Sequence, residues 1–212
     1  RDRMNSYLVK KRGRPGQNHL DKLQLAMDNY FTLEKLKYAC AGLIESASGG
    51  EVPQPPMLDS ILETVGKNSY SYPLVTQAYY HAYWMLRYVL ANEPKSDDFA
   101  AQFLDCFQSP EVSNIAEARD LFMYGQNYYV LQLRKGNNIY QKSLIELYLL
   151  AFERKIFEDE RKLSPLFYKN AIEICCKYGE FVRAGELATN WNSRIDPEPV
   201  SYTHLTLPTI CS

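Results

Sequence analysis

The stretch Leu163–Trp191, LSPLFYKNAIEICCKYGEFVRAGELATNW, constrains the fold more than any other part of the chain. Ser164 has the chemistry of a helix N-cap, and Pro165 stands at the first helical position, where a missing N–H costs nothing. Tyr168, Ile172 and Cys176 recur at helical spacing as one packing stripe. Gly179 ends that helix, because glycine takes the left-handed stop conformation without a steric penalty. Phe181, Ala184, Leu187, Ala188 and Trp191 give a second helix its apolar face, and small Ala184 and Gly185 favour close approach of the pair. The spacing therefore predicts a helix–turn–helix unit.

Upstream, the same kind of unit is expected to recur. Gly13-Arg14-Pro15-Gly16 breaks a short segment, Asp2–Lys11, that reads as the end of a helix. Asn18 then caps a long helical segment in which Leu20, Leu23, Met27, Tyr30 and Phe31 lead into Leu33, Leu36, Ala39, Leu43 and Ile44, with a candidate bend at DNYFT. Ser48-Gly49-Gly50 stops it. A short helix follows over Met57–Val65, ended by Gly66, and an aromatic-rich one over Ser71–Ala91. Ser96 caps a helix faced by Phe99, Phe103, Leu104 and Phe107, closed at Ser109-Pro110. Asn114 with Glu117, and Asn138 with Gln141, read as capping boxes opening helices that run to Lys135 and to Phe157.

Those last two helices each carry two apolar stripes. On the first they are Ile115, Ala118, Phe122, Gly125, Tyr129, Leu133 and Leu121, Tyr124, Tyr128, Leu131; on the second, Tyr140, Leu144, Leu147, Ala151 and Ile145, Leu149, Phe152, Ile156. A surface helix of a compact bundle shows one apolar face. Two faces mean neighbours on both sides, as in a stacked array. With short loops and no strand signal, the expected fold is all-α: antiparallel helix pairs stacked as a right-handed solenoid. The domain plan is a basic arm or loop over 1–17, a helical-repeat domain over 18–195 and a non-native or disordered tail over 196–212.

Charge is uneven. Residues 1–16 hold Arg1, Arg3, Lys10, Lys11, Arg12 and Arg14 against Asp2, a balance of +5, so the rest of a chain of net charge −1 carries −6. A globally basic nucleic-acid binder is not indicated. Val200–Thr209, VSYTHLTLPT, resembles a translated sequencing adapter, and with Arg1 in place of a methionine the chain reads as a gene fragment, so His204 and Cys211 carry no site argument. Cys40, Cys106, Cys175 and Cys176 lack C-x-x-C spacing and read as small core hydrophobes in a reducing, cytoplasmic compartment. No stretch reaches the roughly 20 apolar residues of a membrane-spanning helix.

Tyr168, Ile172, Cys176-Lys177, Gly179, Phe181, Ala184 and Glu186-Leu187 resemble the helix–turn–helix pattern of the tetratricopeptide/pentatricopeptide repeat superfamily. That likeness covers one repeat, whose letters the upstream hairpins do not echo. Leu33-Glu34-Lys35-Leu36 with Tyr38-Ala39-Cys40, Glu117–Leu121 with Asn127-Tyr128, Lys135-Gly136-Asn137, and Leu163-Ser164-Pro165 with Tyr168-Lys169-Asn170 resemble blocks of a bacterial helical-repeat family that carries no known activity. The resemblance implies a fold and no catalytic residue.

Two motifs invite chemistry. Lys10-Lys11-Arg12-Gly13-Arg14-Pro15-Gly16 has an Arg-Gly-Arg-Pro core like an AT-hook, whose extended arginines enter a narrow A·T minor groove. A basic inter-helix loop explains the same residues, and the basic flank is missing after Pro15. His81 sits in Tyr79-Tyr80-His81-Ala82-Tyr83-Trp84, where a buried histidine bonded to a tyrosine is the expectation rather than a general base. The tyrosines, including Tyr70, Tyr72, Tyr79, Tyr80, Tyr83, Tyr88, Tyr124, Tyr128 and Tyr129, are base-stacking candidates but are expected to fill the core. Glu153–Lys162 reads as a solvated helix end and loop. No catalytic, metal or cofactor fingerprint occurs, so the expected role is a non-enzymatic scaffold for a protein or peptide, with nucleic-acid association through Lys10, Lys11, Arg12 and Arg14 as the alternative. The structural residues of the closing hairpin are Ser164, Pro165, Tyr168, Gly179, Ala184 and Leu187.

Overall fold

The computed structural model describes residues 15–50, 54–91, 98–113, 116–159 and 162–195. Among these the fold is all-α: α1 (Pro15–Ala47), α2 (Leu58–Lys67), α3 (Leu74–Ala91), α4 (Asp98–Gln108), α5 (Pro110–Ser113), α6 (Ala118–Arg134), α7 (Gln141–Glu153), α8 (Pro165–Lys177) and α9 (Phe181–Trp191). Strand is confined to a two-residue ladder, β1 (Glu158–Asp159) antiparallel to β2 (Lys162–Leu163), and a bridge from Leu163 to Ile195. The basic residues Lys10, Lys11, Arg12 and Arg14, the caps Ser96 and Asn114, and the adapter-like tail lie outside the described residues.

Contacts follow chain order. Helix α3 packs on α1, α4 and α6; α7 packs on α6, and α9 on α8. The core runs through all of them, from Leu36, Ala39 and Cys40 to Ala184 and Leu187. Both predicted stripes of α6 are represented in its buried set of Ala118, Leu121, Phe122, Gly125, Tyr128, Tyr129 and Gln132. Helix α7 likewise buries Leu144, Ile145, Leu147, Tyr148, Ala151 and Phe152. Gly125 makes room for side chains of two neighbouring helices: a Cβ there would stand 2.6 Å from the Phe103 ring and 3.1 Å from Leu147.

Four helices end on one device. The residue after the cap takes a positive φ, and its N–H and the next return to the last turn's carbonyls. Gly49 (φ 90°), Gly136 (φ 87°) and Gly179 (φ 80°) do this for α1, α6 and α8, as glycine at those sites predicts. Helix α7 does it with Lys155 (φ 56°), whose N–H reaches the Phe152 carbonyl while Ile156 reaches Ala151. A stop without glycine leaves no sequence signal, so α7 ends at Glu153 instead of continuing to Phe157. The charged side chains of the segment after it, Lys155, Asp159 and Lys162, are exposed as expected, while Ile156 turns inward and Arg119 donates to its carbonyl at 2.8 Å and to Asp159 at 2.7 Å.

Other boundaries shift for local reasons. Helix α1 starts at Pro15, so Asn18 lies inside its first turn rather than capping it. Gly66 is within α2, where it admits the Tyr80 hydroxyl (2.6 Å from a built Cβ), and does not end the helix. Ser69–Ser71 form a 3-10 turn before α3, and Asn138–Tyr140 another before α7, with no side-chain cap from either. Glu117 precedes α6 without capping it; its carboxylate instead takes the Lys37 ammonium at 3.3 Å, tying α6 to α1.

The closing hairpin matches its sequence in outline. Ser164 Oγ accepts from the Phe167 N–H at 3.4 Å, Pro165 opens α8, and Ala184 and Leu187 are buried. The buried stripe of α8 is Phe167, Ala171 and Cys175, one residue earlier than Tyr168, Ile172 and Cys176; Tyr168 is half-buried and Cys176 exposed. Phe167 wins because it closes an aromatic cluster, with ring centroids 4.5 Å from Phe157, 4.6 Å from Phe152 and 5.5 Å from Phe122. On α9, Phe181, Gly185 and Ala188 are exposed, so close approach rests on Ala184 alone.

Candidate interaction surface

Helix α6 packs on α3, α7 and α4, and faces α8 across an open space. Between them, with the ends of α1 and α3 as a third wall, lies a cleft of about 720 Å³. Leu86 and Leu90 of α3, Met123, Val130 and Leu131 of α6, and Leu166 and Ile174 of α8 supply its apolar lining. Its polar lining comes from Gln126, Asn127 and Arg134 on α6 and from Asn170, Glu173 and Lys177 on α8. Arg134, Glu173 and Lys177 are exposed, while Gln126, Asn127 and Asn170 are half-buried.

The polar set has an order that the letters of the closing hairpin hide. Asn127 and Asn170 are 43 positions apart, as are Arg134 and Lys177, Leu131 and Ile174, and Gly136 and Gly179. Leu144 and Leu187, both buried, keep the same offset, as do Tyr148 and Trp191. The hairpins α6/α7 and α8/α9 thus share a spacing. On each inner helix an asparagine and a cation stand seven residues apart, two turns along one face. The signal in the sequence was the shared 43-residue offset, and neither asparagine alone carried it.

Electrostatics give the cleft a floor of fixed dipoles. The Tyr148 hydroxyl donates to Gln126 Oε1 at 2.9 Å. Burial pushes that phenol well above its ordinary range, against a smaller opposing interaction with Asn170. Outside the cleft lining, the Tyr128 and Tyr140 hydroxyls lie 3.1 Å apart and Tyr129 donates to the Ala100 carbonyl at 3.1 Å. Five of the nine tyrosines named from sequence are buried, Tyr79, Tyr80, Tyr83, Tyr128 and Tyr129; Tyr72, Tyr88 and Tyr124 are half-buried, and burial raises the pKa of Tyr124. Tyr70 is exposed.

Burial shifts several titratable groups, among them Asp120, whose carboxyl pKa it raises against the lowering effect of Lys37. His81 is buried between Tyr80 and Phe99, with ring centroids 5.3 Å and 5.9 Å away, and burial lowers its pKa to about 4. Its Nδ1 has no hydrogen-bond partner among the described residues, so the expected bond to a tyrosine is replaced there by an edge-on ring contact. Burial also pushes the Cys106 thiol up to about 11 and Cys40 higher still, which keeps both as inert thiols. At Lys37 burial opposes the ammonium, but hydrogen bonds to Glu34 and Glu117 outweigh it and the pKa rises. Among the described residues no group of three His, Cys, Asp or Glu side chains is placed to hold a metal ion, and no helix is long and apolar enough to cross a membrane. Comparisons with family models, with curated proteins and with solved structures give no match.

Proposed function

We propose that the chain is a non-catalytic, tetratricopeptide-like scaffold, its helix pairs stacked as a right-handed solenoid, that holds a peptide segment of a protein partner in the α3–α6–α8 cleft. The observation that carries this reading is the repeated Asn–cation pair, Asn127 with Arg134 and Asn170 with Lys177, lining one cleft. An asparagine amide offers both donors and an acceptor, the complement of a peptide main chain. Met123, Val130 and Ile174 supply apolar contact beside it, and the cations favour carboxylates on the ligand. The free, buried thiols of Cys40, Cys106 and Cys175 fit a reducing compartment such as the cytoplasm. Nucleic-acid association through the Arg-Gly-Arg-Pro arm stands second, because the cleft lining includes Glu173, ion-paired with Lys169, instead of presenting a basic stripe.

A displayed peptide library selected on the whole chain tests this. The expected winners are peptides carrying apolar and acidic residues, whose binding falls at least about tenfold on joint Asn127→Ala and Asn170→Ala, the loss of two polar contacts. Unchanged helicity in that variant keeps the result interpretable. Winners that bind the variant as well as the wild type place the ligand elsewhere and sink the cleft reading.

A further inference from the structure

Helix α1 changes face halfway. Its C-terminal half buries Leu36, Ala39 and Cys40, with Leu43 half-buried beside them, against the rest of the domain. At about 100° per residue, Leu20, Leu23, Met27, Tyr30 and Phe31 point roughly opposite to that set. The helix is unbroken through DNYFT, so in place of a bend the larger apolar stripe changes face there, with exposed Leu25 remaining on the Leu36 side. Every residue from Leu20 to Asp28 is exposed, and the five large side chains range from 49% exposure at Met27 to 67% at Leu20. Five such residues on one stripe are more than scattered surface apolarity.

We infer that this stripe is a self-association seam, covered by α1 of a second copy of the chain running antiparallel. The intervals from Leu20 to Leu23, Met27 and Tyr30 are three, four and three, the spacing of a two-stranded helical seam. That spacing reads the same from either end. In an antiparallel pair Leu20 meets the second copy's residue 30, and Leu23 meets its residue 27, so one two-fold axis matches every layer. The flanking positions Gln24, Ala26 and Phe31 carry no charge, and Ala26 lets the backbones approach; Asp21, Lys22 and Asp28 point away from the seam. In-register parallel pairing would continue into Glu34 and Lys37 stacked on their own copies, a like-charge penalty. Covering the stripe and its flanks on two chains buries on the order of 1,200 Å², the lower end of stable interfaces.

Sedimentation equilibrium on the whole chain at high micromolar concentration is expected to give twice the chain mass. Leu23→Lys and Met27→Glu, each alone, are expected to halve it with helicity unchanged, since both side chains point to solvent within one copy. Mixed one to one, the two variants are expected to recover a dimer, because the new lysine meets the new glutamate across an antiparallel seam while Met27 still meets Leu23. A monomeric wild type, or variants that stay dimeric, overturns the seam. Two monomeric variants that fail to recover in the mixture overturn the antiparallel register.

Discussion

Hairpins α6/α7 and α8/α9 share a 43-residue offset and have unequal fates. Leu144 and Leu187 are buried in both, and Ile139 and Val182, also 43 apart, are exposed in both, at 68% and 76%. Yet Ile145 is buried where its counterpart Ala188 is exposed, and α6 buries residues on both flanks while α9 buries only Ala184 and Leu187. Position in the unit sets which residues can be buried. Neighbours set how many are. The interior pair has α3 and α4 on one side and α8 on the other, and Ile145 is covered there, whereas α9 leaves the matching Ala188 to solvent.

The largest expected effect separates the two pairs by one aromatic deletion in each. Phe122 meets Tyr148, Phe157 and Phe167 at 5.0, 4.9 and 5.5 Å, so Phe122→Ala is expected to cost about 3–5 kcal/mol in urea unfolding, the usual price of an unfilled aromatic cavity. Phe181→Ala in α9 is expected to stay within about 0.5 kcal/mol, as exposed substitutions do. Equal losses at the two sites would erase the distinction.

A second effect places acid sensitivity in the interior. Unfolded, His81 binds a proton at its ordinary pKa of 6.5, and folded only near about 4. Between those values the unfolded chain binds more protons, so stability is full above 6.5 and falls as pH drops toward 4. The contribution lost is about 2–3 kcal/mol. Unfolding free energies from pH 7 to 4 should show that excess drop in the wild type and not in His81→Leu. Parallel curves for the two proteins would remove histidine from the account.

The smallest effect is a gain. Lys155 holds a left-handed φ of 56° that costs a lysine about 1 kcal/mol and glycine almost nothing, so Lys155→Gly should raise stability by about that much. A loss on that substitution would mean that the lysine side chain contributes something its backbone geometry does not reveal.

Much of this fold was legible because helix ends and faces are local. Gly136 and Gly179 announce their stops, Ser164 and Pro165 their start, and the doubled stripes of α6 and α7 their burial. The α7 stop was invisible because Lys155 pays for its conformation through tertiary contacts made by Ile156 and Phe157. Phe167 and Tyr168 are equally good core residues by spacing, and only the rings of Phe122, Phe152 and Phe157 choose between them. The cleft was harder still, since Asn127 and Asn170 gain meaning from facing one space, which no local pattern records.

Hydrogen exchange on Ala184→Glu tests the central claim most directly. Ala184 is 6% exposed in the α8–α9 contact, and a glutamate there has to bury its charge or push the helices apart. In a stacked array stability is close to a sum of neighbour terms, so the damage stays where it is made. Exchange is predicted to accelerate across α8 and α9 while the amides of α6 keep their wild-type protection. Uniform acceleration from α1 to α9 would contradict this, and would make the molecule one cooperative bundle in which interior and end are not separate units.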